Sequence, residues 1–308
     1  MDNFRNILFV TRPDDDPTEG LKQAIGLARS NHAALKVLVA GTQLPEKLSS
    51  YSEAYVKNLR AHAEENVSKA LAALPDAADT EISIDVAPMK KFAVEVIQYI
   101  LRHGHDLLVK HAEGGHDKGF KAPDMALLRK CPCPVWLWRQ AKHQQNNFRV
   151  AVAVDAQSEE QEGKDLAKRL LQVADGLSAK SSQPLKIVSC WDYEFENYLR
   201  ENSWVKLPEE EIDEAVKQAE AQHKSDFQAL MKDAAVKGET HQMRGHSNEI
   251  LPAFVMAEKI DVLVMGTVGR TGISGFVIGN TAESVLQEVE CSLLAMKPAG
   301  FTSPVNPY

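Results

Sequence analysis

Four cysteines in 308 residues, Cys131, Cys133, Cys190 and Cys291, are too few for a disulfide framework. A reducing cytoplasm is the expected location. No apolar run is long enough to cross a bilayer, and MDNFRNILFV, with an acid at position 2, lacks the pattern of a signal peptide. Basic excess is missing too. A formal net charge of −8 argues against a nucleic-acid partner, since neutralising phosphates takes basic clusters. It leaves open a single phosphorylated small molecule held by backbone amides. What remains is a globular composition, 44% hydrophobic and 25% charged, long enough for two domains.

The sequence is written twice. HDLLVKH (105–111) matches IDVLVMG (260–266), an aspartate leading into an apolar run each time. Downstream, ALLRKCPCPVWLWR (126–139) matches SVLQEVECSLLAMK (284–297), and NILFVTRPDDD matches RVAVAVDAQSE. In the second copy, strands are expected near 149–155, 184–191, 239–244, 261–265 and 291–297. Helices alternate with them near 159–179, 208–237, 247–258 and 280–289. Ile212, Val216, Ala219, His223, Phe227, Leu230 and Ala234 share one face of the longest helix. Pro208 and Glu209 to Glu211 suit its start, Lys237 and Gly238 its end. The first copy repeats this with Val56, Leu59, Ala63, Val67, Ala70 and Leu74, then Pro75. Alternating strands and helices imply parallel sheets flanked by helices on both faces. The polar stretch QAKHQQNN (140–147) marks the boundary, giving domains at 1–143 and 147–308.

Chemistry concentrates in GTVGRTGISGFVIGNT, between the strand ending near 265 and the helix starting near 280. Ligands of open parallel sheets sit beyond the carboxyl ends of the strands, which is where this loop falls. Gly266 and Gly269 let amides approach an anion without a side chain in the way. Asn280 and Thr281 stand at a helix start, which favours phosphate, and Arg270 adds a charge-assisted contact. The plainer reading is that Asn280 and Glu283 form a capping pair that only ties off the helix.

Gly266, two residues, Gly269, nine residues, then Gly279-Asn280 resembles the G-2x-G-9x-G-(S/T) signature of the universal stress protein family, in its tandem form. The resemblance implies two α/β domains, each a five-stranded parallel sheet of the Rossmann-like, adenine-nucleotide alpha hydrolase type. It implies ATP, with or without Mg²⁺, at the carboxyl ends of the strands. Asp155 matches an aspartate beside the adenosine, Cys190 and Met265 would flank the base, and Gly266, Gly269 and Gly279 match the motif glycines. Asn280 departs from the family's hydroxyl, with Thr281 one place later. The resemblance also implies a stress-response role and antiparallel pairing of last strands. VWLWR (135–139) and LLAMK (293–297) would then join within one chain as a built-in pseudo-dimer, with a further homodimer expected.

In the first copy, Arg12 falls on Asp155, His111 on Gly266, Gly114 on Gly269, and Lys121 and Ala122 on Gly279 and Asn280. One nucleotide site per chain is expected, in the second domain. Other functions compete with a non-catalytic regulator: weak ATP hydrolysis, for which no dedicated base is evident, or a scaffold holding an apolar or lipid-like ligand. The aromatic insert DYEFENYLRENSW (192–204) keeps the scaffold open, as a lid or as structure packed on the long helix. His103, His105, His111 and His116 lack a recognised metal-ligand spacing, and Cys131-Pro-Cys133 reads as structural before redox.

Overall fold

The computed structural model describes residues 4–74, 80–114, 117–140, 143, 147–201, 204, 207–267 and 278–308. Two compact units emerge. The first holds the described residues of Met1–Ala141 together with Ile278 and Glu290–Tyr308; the second holds those of Lys142–Thr271 and Gly279–Val289. Pro75, His116, Gly269, Arg270, Gly272 and Gly275 lie outside the described residues.

The first unit runs β1 (Asn6–Thr11), α1 (Thr18–Asn31), β2 (Ala34–Thr42), α2 (Ser52–Ala72), β3 (Ile82–Met89), α3 (Phe92–His103), β4 (Leu107–His111), α4 (Ala122–Lys130) and β5 (Val135–Trp138). The strand order is β3-β2-β1-β4-β5, and these pairs are parallel. β10 (Ser292–Met296), the last strand of the second repeat, joins this unit and pairs antiparallel with β5: Leu293 faces Leu137, Leu294 faces Trp136 and Ala295 faces Val135. Every residue of both strands is buried. Two apolar edges that would each invite aggregation satisfy one another.

The second unit contains β6 (Val150–Ala153), α5 (Gln161–Ser178), β7 (Lys186–Trp191), α6 (Glu196–Glu201), α7 (Glu209–Ala234), β8 (Glu239–Arg244), α8 (Ser247–Ala257), β9 (Val262–Gly266) and α9 (Asn280–Glu288). Its strands run parallel in the order β9-β6-β7-β8. The second repeat therefore supplies five strands, four to this unit and one to the other.

The aspartate shared by both copies of the repeat has the same duty in each. Asp106 accepts from the Arg5 and Asn6 amides at 2.7 and 3.0 Å. Asp261 accepts from the Arg149 amide at 2.8 Å and lies 2.8 Å from Nδ1 of His143. Each carboxylate fixes where the first strand of its half begins.

α7 begins as its residues dictate, with Pro208 before the first turn and Glu209, Glu210 and Glu211 within it. Its end differs from the expectation. Ala235, not Gly238, takes the left-handed conformation that closes the helix, at φ 54°. Gly238 serves a close approach instead, because a Cβ there would sit 2.4 Å from the Leu185 carbonyl oxygen.

Candidate functional site

The described part of the loop's frame is the end of β9 and the start of α9. Met265 is buried beside Ala153 of β6, and Gly266 ends the strand. Gly266 is a glycine for packing as well as access: a Cβ there would come within 3.1 Å of Leu166 Cδ2 on α5. The Gly279 amide donates to the carbonyl of the buried Thr267 at 3.0 Å, which ties the start of α9 to the end of β9. Gly279, not Asn280, is the N-cap, and no side chain caps this helix. The capping-pair reading of Asn280 therefore fails. Glu283 donates its amide to the Gly279 carbonyl at 2.9 Å, so the amides of Asn280, Thr281 and Ala282 have no intrahelical acceptor. Asn280 and Thr281 are both exposed. The helix dipole adds to the attraction of this end for an anion.

Asp155 lies exposed just past β6, its carboxylate accepting from the Gln157 amide at 3.0 Å. Cys190 is half-buried on β7, and burial pushes its thiol up to about 11. Strand alternation turns its side chain to the face opposite Ser189 and Trp191. Trp191 meets His223 of α7, whereas His241, register partner of Val188, meets Phe254 of α8. Cys190 thus faces the α8 side. The aromatic insert packs on α7: Arg200 of α6 pairs with Glu209 and, at 2.6 Å, with Asp213. Phe195 and Tyr198 remain exposed.

In the first half the same place holds a network of charged side chains. Lys110, 2% exposed at its side chain, donates to Glu113 at 2.8 Å and to Asp124 at 3.1 Å. Asp124, fully buried in the first turn of α4, also accepts from the Glu113 amide at 2.7 Å. Arg12 closes the network on Glu113 at 3.0 Å. A protein carboxylate in the first turn of the helix thus takes the loop amide, although no side chain caps α4. Burial pushes the Asp124 carboxyl above its ordinary value, while Lys110 and that amide pull it back. Gly114 keeps a glycine's conformation, φ +80°, but a Cβ there would meet Lys121. Beyond β1 and β2 a cleft persists, with about 370 Å³ of empty space including that open to solvent, lined in part by Thr11, Arg12, Val39, Leu59 and Ala63.

Lys110 interrupts an apolar run, and that oddity was the sequence's only sign of the network. The remaining candidates are scattered. His111 packs at a tilt against Trp138, ring centroids 5.1 Å apart, and His103 lies 6.1 Å from His105 by ring centroids. Among the described residues no three potential ligands gather for a metal. Cys131 and Cys133 are free thiols, Sγ to Sγ 3.5 Å, buried beneath Lys297, which donates to the Cys131 carbonyl.

This architecture, a strand-loop-helix frame repeated in tandem on mostly parallel sheets, defines the class. The universal stress protein family model matches residues 3–139 and again 146–297, and the chain belongs to that family. Universal stress protein E of Photorhabdus laumondii is 27% identical over 322 residues, covering 99% of both chains. Among solved structures, a functionally unknown protein of Pseudomonas aeruginosa superposes with a TM-score of 0.71 at 22% identity, covering 96% of this chain and 94% of that one. A universal stress protein of Archaeoglobus fulgidus gives 0.60 at 15% identity, covering 95% and 98%. Among the described residues no helix is long and apolar enough to cross a membrane.

Proposed function

We propose that this protein is a stress-response regulator whose second half binds ATP or a related phosphorylated ligand, and whose occupancy biases assembly or partner docking. One observation carries the reading. The first-turn amides of α9 are held against the end of β9 by the Gly279–Thr267 hydrogen bond, while in the first half a buried carboxylate, Asp124 in the first turn of α4, takes Lys110 and the Glu113 amide. Gly269 and Arg270 complete the cradle in this reading, and Asp155 and Met265 border the nucleoside. Binding without dedicated catalysis is the function proposed.

The test is titration of the full chain with ATP, with and without Mg²⁺. Gly266→Val is an imperfect control, because it also crowds Leu166. Asn280→Pro is cleaner. Proline is well tolerated at the first helical position, the preceding Gly279 already has an extended ψ of 142°, and only one amide is lost. Losing one charge-assisted hydrogen bond should weaken ATP binding about tenfold or more at unchanged Tm. Wild-type protein that binds neither ATP nor inorganic tripolyphosphate would overturn the proposal. ATP turnover well above that of Asn280→Pro would recast the protein as a slow hydrolase.

A further inference from the structure

Antiparallel pairing of β5 with β10 sets a cation against a cysteine at each end of the seam. Continuing the register of Ala295 with Val135 by two residues places Lys297 opposite Cys133. Continuing that of Leu293 with Leu137 the other way places Arg139 opposite Cys291. All four are buried. The two ends differ in the residue two places before the cysteine, which is Cys131 in the first half and Val289 in the second. Only one end therefore holds two thiols, and their sulfurs lie in contact, 3.5 Å apart.

Lys297 is the unusual partner of the pair. Its ammonium donates to the Cys131 carbonyl at 2.8 Å and lies 4.8 Å from the centre of the Phe301 ring. Among the described residues no carboxylate pairs with it, and the acids that offset its burial are Cys131 and Cys133. A buried cation without an anion is costly, and a thiolate is the anion these residues can supply. Burial opposes that ionisation, but the Cys133 thiol and the Lys297 charge outweigh it and hold Cys131 below the ordinary thiol value. Cys133 is pushed above that value by its hydrogen bond to Cys131 and by burial. One sulfur is thus prepared to attack and the other keeps its proton.

We propose that Cys131 and Cys133 form a dithiol that peroxides oxidise to a disulfide, with Cys131 the attacking sulfur, Cys133 the resolving one and Lys297 the positioning cation. The Cys131 thiolate attacks one peroxide oxygen and breaks the O–O bond. Cys131 becomes a sulfenic acid, and the other oxygen leaves as hydroxide and takes a proton from solvent. The Cys133 sulfur then displaces the Cys131 hydroxyl, which departs with the Cys133 proton as water. Two thiols lose two electrons and one peroxide gains them. The ammonium that favours a thiolate repels a metal cation, so the pair suits an oxidant and not a soft metal. Access lies through the C-terminal tail. Residues 298–308 form no helix or strand. They are tied down by Phe301 over Lys297, by the Ser303 hydroxyl donating to the Lys130 carbonyl at 2.7 Å, and by the Gln98 amide donating to the Asn306 carbonyl at 3.2 Å. A segment held so lightly opens without unfolding the sheet and admits a molecule as small as peroxide.

The test treats the reduced full chain with hydrogen peroxide, follows each thiol by mass spectrometry and records Tm. Cys131 and Cys133 should join in a disulfide that dithiothreitol reopens, while Cys190 and Cys291 stay reduced. Cys133→Ser should stop at a Cys131 sulfenic acid that dimedone traps. Lys297→Met should slow oxidation about tenfold and move the pH profile of Cys131 alkylation upward, because less of the sulfur is then thiolate. Lys297→Arg, which copies Arg139 at the other end of the seam, should restore both. Ser303→Ala should speed oxidation at unchanged Tm. The Cys133→Ser and Ser303→Ala results carry the test if Lys297→Met does not fold. Oxidation of Cys190 or Cys291 with the pair left reduced would overturn the proposal. Dimedone on Cys133 of wild type in place of Cys131 would overturn the order of attack. An unmoved alkylation profile in Lys297→Met overturns the role of the lysine, and an unchanged rate in Ser303→Ala overturns that of the tail.

Discussion

At the loop after the fourth strand, the two halves solve one electrostatic problem in opposite ways. A helix start beside a strand end attracts negative charge wherever this fold is built. The first half meets the demand from within, by burying Asp124 against Lys110 and the Glu113 amide. The second half has Ala282 where the first has Asp124, and neither helix start is capped by a side chain. In the proposed reading the external anion takes the place that Asp124 fills in the first half, with Glu283 the acid in the first turn of α9. Duplication makes this visible, because each half serves as the control for the other.

Removing the internal anion is the strongest way to break the contrast. Asp124→Ala leaves Lys110 buried with one partner fewer, and breaking a buried pair costs about 3–5 kcal/mol. Urea denaturation should show a loss near the lower figure, because Glu113 still faces Lys110 at 2.8 Å. Added phosphate should then raise the Tm of the variant more than that of wild type, since the helix start is again in need of an anion. Equal phosphate effects would mean that the first half's loop has lost the cradle's shape along with its charge.

A second contrast stands at the other end of the same strands, where His105 in the first half occupies the place of Ile260. Both are buried, and burial lowers the His105 pKa to about 4. Its folded value lies below its unfolded one. The stability linked to the neutral ring is therefore complete above about pH 6.5 and is lost as pH falls toward 4, a loss on the order of 3 kcal/mol. His105→Ile should flatten that part of the pH–stability profile. Parallel profiles for wild type and variant between pH 6.5 and 4 would show that folding leaves the pKa of the ring unchanged.

Periodicity made the strands and helices of the second half legible, and β8 and α8 begin where the pattern places them. Such signals are local, and local geometry follows from neighbouring residues. Ends were harder. Gly238 looks like a helix stop, yet Ala235 turns the chain, because Gly238 is needed where β8 passes Leu185. Asn280 looks like a cap, yet Gly279 caps, because its amide is fixed by Thr267. The pairing of β5 with β10 was expected from family likeness, and it draws a strand of the second repeat into the first unit. Lys110 within an apolar run hinted at a buried charge, but no local pattern revealed its partner Asp124 or the buried polar atoms under α7 that lack a hydrogen-bond partner among the described residues. Both depend on residues that only the tertiary fold brings together.

The finest division between the halves falls on Asn280 and its counterpart Ala122, where side chain and backbone make separable contributions. The Asn280 side chain is exposed and caps nothing, so Asn280→Ala should change stability by no more than about 0.5 kcal/mol. If the anion is held by main-chain amides, the same variant should bind ATP within about threefold of wild type, a difference under about 1 kcal/mol. Asn280→Pro, which keeps the helix but deletes the amide, should then differ from it by the larger step. If alanine weakens binding as much as proline does, the carboxamide itself holds the phosphate. Asn280 would then replace the family's hydroxyl in function, and the backbone cradle would be the lesser half of the site.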